Sequence, residues 1–146
     1  MADKELQVGD LAPDFSTIDD TGHPVSLKEF RGKTVILYFY PKDDTPGCTI
    51  EAKKFRDYSK EFESKNAVIL GVSFDDQASH EKFKEKHELP FRLLVDADKK
   101  IAKAYGSGGL LFPSRHTFVI DGKGRIKKIY RKVSPAEHAE EILNEI

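Results

Sequence analysis

The one cysteine of the chain, Cys48, stands where a sulfur could act as a nucleophile. It follows the apolar run 34–40, a proline at position 41 and a polar loop, and it opens a segment with helical spacing. The unpaired N–H groups and the dipole at a helix N-terminus favour a thiolate, which is the nucleophilic form of cysteine. A lone cysteine is more commonly a small buried apolar side chain. The position of Cys48 favours the nucleophile over that alternative.

Two residues before the cysteine could take part in chemistry at its sulfur. Thr45 lies three positions ahead of Cys48, close enough for its hydroxyl to contact the sulfur or a bound oxygen. Pro41 ends the preceding strand and could shield the site from water. Pro46 and Gly47 are well explained as turn and helix-start residues. The same explanation stays open for Thr45, although it accounts for Thr45 less well.

The hydrophobic pattern predicts the elements that must hold this sulfur in place. Residues 14–28 predict two short strands around a turn. Residues 34–40 and 67–74 are unbroken apolar runs, which is typical of buried central strands. Between them, apolar residues at helical spacing predict a helix over residues 48–64.

The later segments complete a predicted α/β fold. They are, in order, a helix over 77–88, a strand over 93–95, a helix over 99–105, and the strands RHTFVID and RIKKIYRK joined by an Asp-Gly turn. A final helix is predicted to start at Ser134-Pro135, with a capping box from Ser134 to Glu137. Parallel strands joined by helices and closed by an antiparallel hairpin predict a thioredoxin-like three-layer sandwich with an N-terminal β-hairpin extension. The 146 residues are predicted to form a single domain, 1–146.

Composition gives no reason to expect nucleic acid or a membrane as a partner. The chain has 24 basic and 25 acidic residues, a net charge of -1. The longest apolar run, Val35–Tyr40, is too short to span a bilayer, and residues 1–10 contain no apolar stretch of a signal peptide. One cysteine cannot form an internal disulfide. We therefore expect a cytoplasmic protein.

The remaining motifs do not predict a cofactor or a metal. The five histidines lie far apart in the sequence and are interpreted as surface residues: His23, His80, His87, His116 and His138. Two of them, His80 and His87, lie two turns apart on one predicted helix, with no third ligand indicated. The glycine-rich loop 106–109 follows a helix rather than a strand, so it lacks the context of a phosphate-binding fingerprint.

Three segments carry a resemblance to a known family. Residues 40–57, YPKDDTPGCTIEAKKFRD, contain the pattern Pro-x-x-x-Thr-x-x-Cys at Pro41, Thr45 and Cys48. The opening VGDLAPDFS and the late segment RHTFVIDGKGRI match in the same order. On these segments the chain resembles the peroxiredoxins, and specifically the peroxiredoxin Q, or bacterioferritin comigratory protein, subfamily.

The resemblance implies a thiol-dependent peroxidase that reduces hydrogen peroxide and organic hydroperoxides through a cysteine sulfenic acid. It implies that Cys48 attacks the peroxide, with Thr45 and Arg115 holding the peroxide in line. Arg115 would also stabilise the thiolate, and Glu51 would orient that arginine. For these two residues the alternatives are a surface arginine at a strand end and a first-turn glutamate favoured by the helix dipole. No metal, flavin or haem is implied.

The chain departs from that subfamily at position 53. Many members carry a second, resolving cysteine five residues after the first, and here that residue is Lys53. An internal disulfide is therefore impossible, and the chain resembles a one-cysteine peroxiredoxin. The expected partners are a hydroperoxide substrate and an external thiol reductant, either thioredoxin or a low-molecular-weight thiol. The resemblance further implies a monomer.

Three other functions are alternatives for a thioredoxin-like chain with one cysteine. A thioredoxin-type disulfide reductase needs Cys-x-x-Cys, and this chain continues from Cys48 with Thr-Ile-Glu. A glutathione-peroxidase-like enzyme uses a tryptophan near the cysteine, and the chain has none. A thioredoxin-like peroxide sensor or binding module without efficient turnover stays open, because a sulfenic acid with no resolving partner also suits sensing.

Overall fold

The computed structural model describes residues 5–146, which build a five-stranded mixed sheet with helices on both faces. The strands are β1 (Ser16–Ile18), β2 (Pro24–Ser26), β3 (Thr34–Phe39), β4 (Ala67–Ser73), β5 (Arg92–Val95), β6 (Thr117–Ile120) and β7 (Ile126–Tyr130). The helices are α1 (Pro46–Asp57), α2 (Ser59–Ser64), α3 (Gln77–His87), α4 (Lys100–Ala104) and α5 (His138–Glu145), with a 3-10 turn at Leu27–Phe30. The first four residues of the predicted domain lie outside the described residues.

The sheet has the order β5-β4-β3-β6-β7, with β3 at its centre. β3 pairs in parallel with β4 and antiparallel with β6, so that Leu37 lies between Leu70 and Phe118. Every residue of β3 after Thr34 is buried, as expected for a strand covered on both faces. The strand predicted from 34–40 is therefore the central strand of the sheet.

Two apolar cores, one on each face, hold the layers together. On one face, Phe55 of α1, Phe62 of α2 and Phe83 of α3 pack against the sheet, and α5 adds Ile142. On the other face, the 3-10 turn and α4 cover the sheet through residues such as Leu27 and Ile101. β1 and β2 form the predicted N-terminal hairpin. These layers confirm the predicted three-layer sandwich and its hairpin extension.

Two predicted helices differ from the observed ones. The helix predicted over residues 48–64 begins at Pro46 and is interrupted at Tyr58, so that it becomes α1 and α2. The final helix begins at His138, and Glu137 rather than Ser134 takes its N-cap position. The capping box is wrong because residues 134–137 form a separate turn, in which the amides of Glu137 and His138 both bond to the carbonyl of Ser134.

The interpretation of all five histidines as surface residues is also wrong. His80 and His138 are buried, and both rings have polar partners in the interior. The physical reason is the hydrogen bonding, because a paired imidazole is accepted in a core. No helix in the described part of the chain has both the length and the apolar character needed to cross a membrane.

Candidate active site

The mixed sheet brings two distant segments to one edge. β3 ends at Phe39, and the loop after it leads into α1. β6 runs antiparallel to β3, so the start of β6 lies beside the end of β3, where Tyr38 pairs with Thr117. The amide of Phe39 also bonds to the carbonyl of His116. Arg115 is thereby placed next to the first turn of α1.

Cys48 is the third residue of α1 and is buried, with 1% of its surface exposed. Pro46 opens the helix, where its missing N–H costs no hydrogen bond. The Nη2 of Arg115 donates to the Sγ of Cys48 over 3.3 Å. A side chain at Gly47 would lie 3.3 Å from the same Nη2, so the glycine leaves room for the guanidinium. The sulfur therefore lies at a helix N-terminus and beside a fixed positive charge.

Glu51 holds the other arm of that guanidinium. The Nη1 of Arg115 donates to the Oε1 of Glu51 over 2.7 Å, and the glutamate is fully buried. Its Oε2 is buried without a hydrogen-bond partner. Burial raises the pKa of Glu51 from its ordinary value of 4.5 to about 7, although Arg115 acts in the opposite direction. The carboxylate orients the arginine at a cost in desolvation.

Replacing Glu51 with glutamine is expected to change how stability depends on pH. Because the pKa of Glu51 is raised on folding, the folded protein holds a proton that the unfolded chain releases above pH 4.5. This contribution to stability is present below 4.5 and is lost as the pH rises through about 7. Relative to wild type, Glu51→Gln should therefore gain stability with rising pH, up to about 3 kcal/mol. Urea unfolding at several pH values measures this difference.

Glu63 offers a matched control for that measurement, because it is an exposed glutamate on the next helix, α2. The stability difference between Glu63→Gln and wild type should vary little over the same pH range. If the Glu51→Gln difference were equally flat, the carboxyl group of Glu51 would not be titrating in the way its burial requires.

Thr45 and Pro41 belong to the loop that precedes α1, and neither forms a side-chain hydrogen bond to the sulfur. Thr45 occupies the N-cap position of α1, and its hydroxyl donates to the carbonyl of Lys42 over 2.8 Å. Pro41 is half-buried directly after Tyr40, which continues the β3 backbone by bonding to Val72. Of the residues predicted for the site, the structure brings Cys48, Arg115 and Glu51 into contact, and it leaves Thr45 turned toward its own loop.

Sequence reasoning missed Tyr38, whose hydroxyl is buried without a partner. Burial raises the pKa of Tyr38 well above its usual value, and the nearby charges of Glu51 and Cys48 raise it further. It also missed His138, whose Nε2 lies 2.7 Å from the hydroxyl of Thr117. Burial lowers the pKa of His138, which favours the neutral ring. The signal in the sequence for Tyr38 was its hydroxyl group, a polar atom within an otherwise apolar strand.

A second polar cluster lies beside the loop that precedes α1. It contains Asp43, Asp75 and His80, and one potential metal-ligand atom from each lies within 4.8 Å of the others. The ring of His80, however, has an acceptor at both nitrogens, Asp43 Oδ2 at 2.7 Å and the carbonyl of Leu94 at 2.8 Å. A histidine that donates through both nitrogens has no lone pair for a metal. We interpret the cluster as a hydrogen-bond network.

Comparison with known proteins agrees with this geometry. The model of the AhpC/TSA family matches residues 8–129, which is most of the chain and includes both Cys48 and Arg115. This chain belongs to the AhpC/TSA family. The predicted resemblance to the peroxiredoxins is thereby confirmed at the level of the family.

Relatives within the AhpC/TSA family point to the peroxiredoxin Q group. The chain is 47% identical to peroxiredoxin Bcp of Bacillus subtilis (strain 168), with 94% of this chain and 93% of the relative covered. It is 44% identical to the chloroplastic peroxiredoxin Q of Oryza sativa subsp. japonica, over 95% of this chain and 66% of the relative. This family member thus matches bacterial and plant proteins of one group.

Solved structures of the group share the fold. Peroxidoxin BcpB from Mycobacterium tuberculosis superimposes with a TM-score of 0.90 at 37% identity, covering 96% of each chain. The bacterioferritin comigratory protein of Xanthomonas campestris, described for its alkyl peroxide reduction activity, gives a TM-score of 0.88 at 32% identity, covering 98% of this chain and 96% of that one. The likeness extends over nearly the whole of both proteins.

Proposed function

We propose that the protein is a thiol-dependent peroxidase in which Cys48 is the residue that attacks the peroxide. The observation that carries the proposal is the 3.3 Å contact between Arg115 Nη2 and Cys48 Sγ at the start of α1. A guanidinium at this position stabilises a thiolate before the reaction and a developing negative charge during it. The peroxiredoxin from Bacillus subtilis and the alkyl peroxide reduction activity described for the Xanthomonas campestris protein support the same reaction class.

The proposed oxidation step breaks the peroxide bond. The Cys48 thiolate attacks the nearer oxygen of the hydroperoxide, a sulfur–oxygen bond forms, and the oxygen–oxygen bond breaks. The sulfur loses two electrons and becomes a sulfenic acid, and the leaving oxygen takes up a proton to become water or an alcohol. Rotation of the Thr45 hydroxyl away from Lys42 would let it bond to the peroxide, which Arg115 polarises.

The proposed reduction step uses thiols from outside the chain. A first external thiol attacks the sulfenic sulfur, forms a mixed disulfide and releases water. A second thiol then attacks that disulfide, restores Cys48 and leaves as an external disulfide. Thioredoxin or a low-molecular-weight thiol would supply these equivalents. We further propose that the protein works as a monomer in the cytoplasm.

The experiment that tests this function follows the fate of one sulfur. Because Cys48 is the only cysteine, stoichiometric hydrogen peroxide should leave a species that dimedone traps. Excess peroxide without thiol should convert it irreversibly to the sulfinic acid. With an external thiol, intact mass should show a mixed disulfide, and peroxide should be consumed over many turnovers. Oxidation without turnover at any thiol concentration would favour the sensor, and turnover without any reductant would contradict the one-cysteine mechanism.

Lys53→Cys provides a matched variant for the trapping experiment, because Lys53 is exposed on α1 five residues after Cys48. Five residues of intact helix rise about 7.5 Å, which exceeds the usual Cα separation of a disulfide. The variant should lose its dimedone reactivity only if the first turns of α1 unwind after oxidation. Faster hydrogen exchange of residues 46–55 in the oxidised variant would report that unwinding.

A further inference from the structure

The loop that delivers Cys48 is attached to helix α3 through buried charges. Asp43 lies in this loop, and its carboxylate is 3% exposed. Three donors converge on it: the Tyr40 hydroxyl over 2.5 Å, the Ser79 hydroxyl over 2.8 Å, and His80 Nδ1 over 2.7 Å. Three donors hold this carboxylate in a fixed orientation. The loop is thereby pinned to α3 and to the end of β3.

His80 is the charged partner in this cluster. Its other nitrogen, Nε2, lies 2.8 Å from the carbonyl of Leu94, which can only accept a hydrogen bond. Both ring nitrogens therefore carry protons, and the ring is an imidazolium. Burial opposes that charge, but the hydrogen bond and the charge of Asp43 outweigh it and raise the pKa of His80. The side chain of His80 is fully buried, so solvent does not share in stabilising the charge.

The titratable groups that face His80 come from three elements. Tyr40, next to β3, has its hydroxyl 3.5 Å from Nδ1. Asp43 comes from the loop before α1, and Asp75 from the segment before α3. Asp75 also accepts from the amide of Asp43 over 2.9 Å. On losing a proton, His80 would lose its charge, and one of its two hydrogen bonds, to the Asp43 carboxylate or to the carbonyl of Leu94, would lose its donor. No other cation is among these groups.

A second attachment lies one residue along the same loop. Asp44 has a φ of 58°, in the left-handed region that most side chains avoid. Its carboxylate accepts a hydrogen bond from Lys86 Nζ over 2.8 Å and lies 3.1 Å from His87 Nε2. Lys86 and His87 are both near the end of α3. The loop is therefore fixed to α3 at two adjacent residues, directly before Thr45 and α1.

We propose that His80 is a positioning residue that acts through Asp43 to hold the 41–45 loop in the geometry that peroxide binding needs. The inference rests on the proposed peroxidase function. When His80 loses its proton, the charge that binds Asp43 to α3 is lost, and the attachment of the loop to α3 weakens. Thr45 and the first amides of α1 then move relative to Arg115, and the reaction with peroxide slows. The rate of the reaction with peroxide should therefore fall at alkaline pH, although more thiolate is present there.

The test compares two reactions of the same sulfur over a range of pH. The rate of Cys48 oxidation by hydrogen peroxide is divided by its rate of alkylation by iodoacetamide, which cancels the fraction of thiolate. In wild type this ratio should fall as the pH rises above the ordinary histidine pKa of 6.5. His80→Asn keeps a donor toward Asp43 but has no proton to lose. Its ratio should be roughly tenfold lower at neutral pH and should lack the alkaline fall.

The controls separate this inference from the function itself. His23→Asn removes an exposed histidine in the β1–β2 turn and should reproduce the wild-type profile. If His80→Asn does not fold, the pH profiles of wild type and of Asp43→Asn still decide whether His80 has this role. A wild-type ratio that stays high at alkaline pH, or a His80→Asn ratio that falls as in wild type, overturns the role of His80. Wild type that reacts with peroxide no faster than a free thiol would instead overturn the proposed function.

Discussion

Replacing Cys48 with serine is expected to reduce peroxide consumption by at least about a thousandfold, to the background of the reductant alone. A serine hydroxyl stays protonated at neutral pH and is a poor nucleophile without a general base. Among the described residues no base touches Cys48, whose hydrogen-bonding neighbour is the always-charged Arg115. Peroxide loss in the presence of excess dithiothreitol measures the effect.

The Cys48→Ser protein should remain folded, which makes the result interpretable. The serine oxygen is smaller than the sulfur, so it fits the same space, and it can accept the same hydrogen bond from Arg115. Circular dichroism and thermal unfolding would establish that the fold is kept. A folded serine variant that consumed peroxide at a substantial rate would show that another group carries the chemistry.

Arg115→Lys should slow the oxidation of Cys48 by about ten- to a thousandfold, in line with the loss of one preorganised donor. The guanidinium reaches Glu51 with Nη1 and Cys48 with Nη2 at the same time. A lysine keeps the charge but has a single nitrogen, so it can satisfy one of these partners well but not both. The rate of thiol loss after mixing with hydrogen peroxide measures the change.

Arg56→Lys is the matched control, because Arg56 is on the same helix as Cys48 but bonds to the carbonyl of His87, away from the sulfur. The oxidation rate of Arg56→Lys should stay close to that of wild type, and thermal unfolding should show little change for either variant. Near wild-type oxidation of the Arg115→Lys protein would remove Arg115 from the site.

The fold was predictable where local pattern and tertiary structure agree. The apolar run 34–40 has no polar residue to place on a solvent face, and β3 is indeed the central strand. The interruption at Tyr58 was not predictable, since neither proline nor glycine marks it. The start of α5 was also missed, because Ser134 uses its carbonyl in a separate turn instead of capping the helix.

The candidate site was predictable only in part, because its charges are paired over long sequence distances. Glu51 lies three residues after Cys48 and four before Phe55, so helical spacing places it on the same face as these two residues and predicts that it is buried. Its charge predicts the opposite, an exposed side chain. His80 lies three residues before the buried Phe83, and its partner in the loop after β3 is 37 residues away. Parallel pairing of β3 with β4 brings them together, and no local pattern reveals that.

The antiparallel pairing of β3 with β6 has a consequence for biosynthesis. Cys48 emerges from the ribosome 67 residues before Arg115, and the two meet only after β6 has joined the sheet. A contact between residues so far apart in sequence is made late, because its chain entropy must be lost first. We therefore expect the nascent chain to carry Cys48 without its Arg115 partner, and the contact that favours attack on an oxidant to form only when folding is complete.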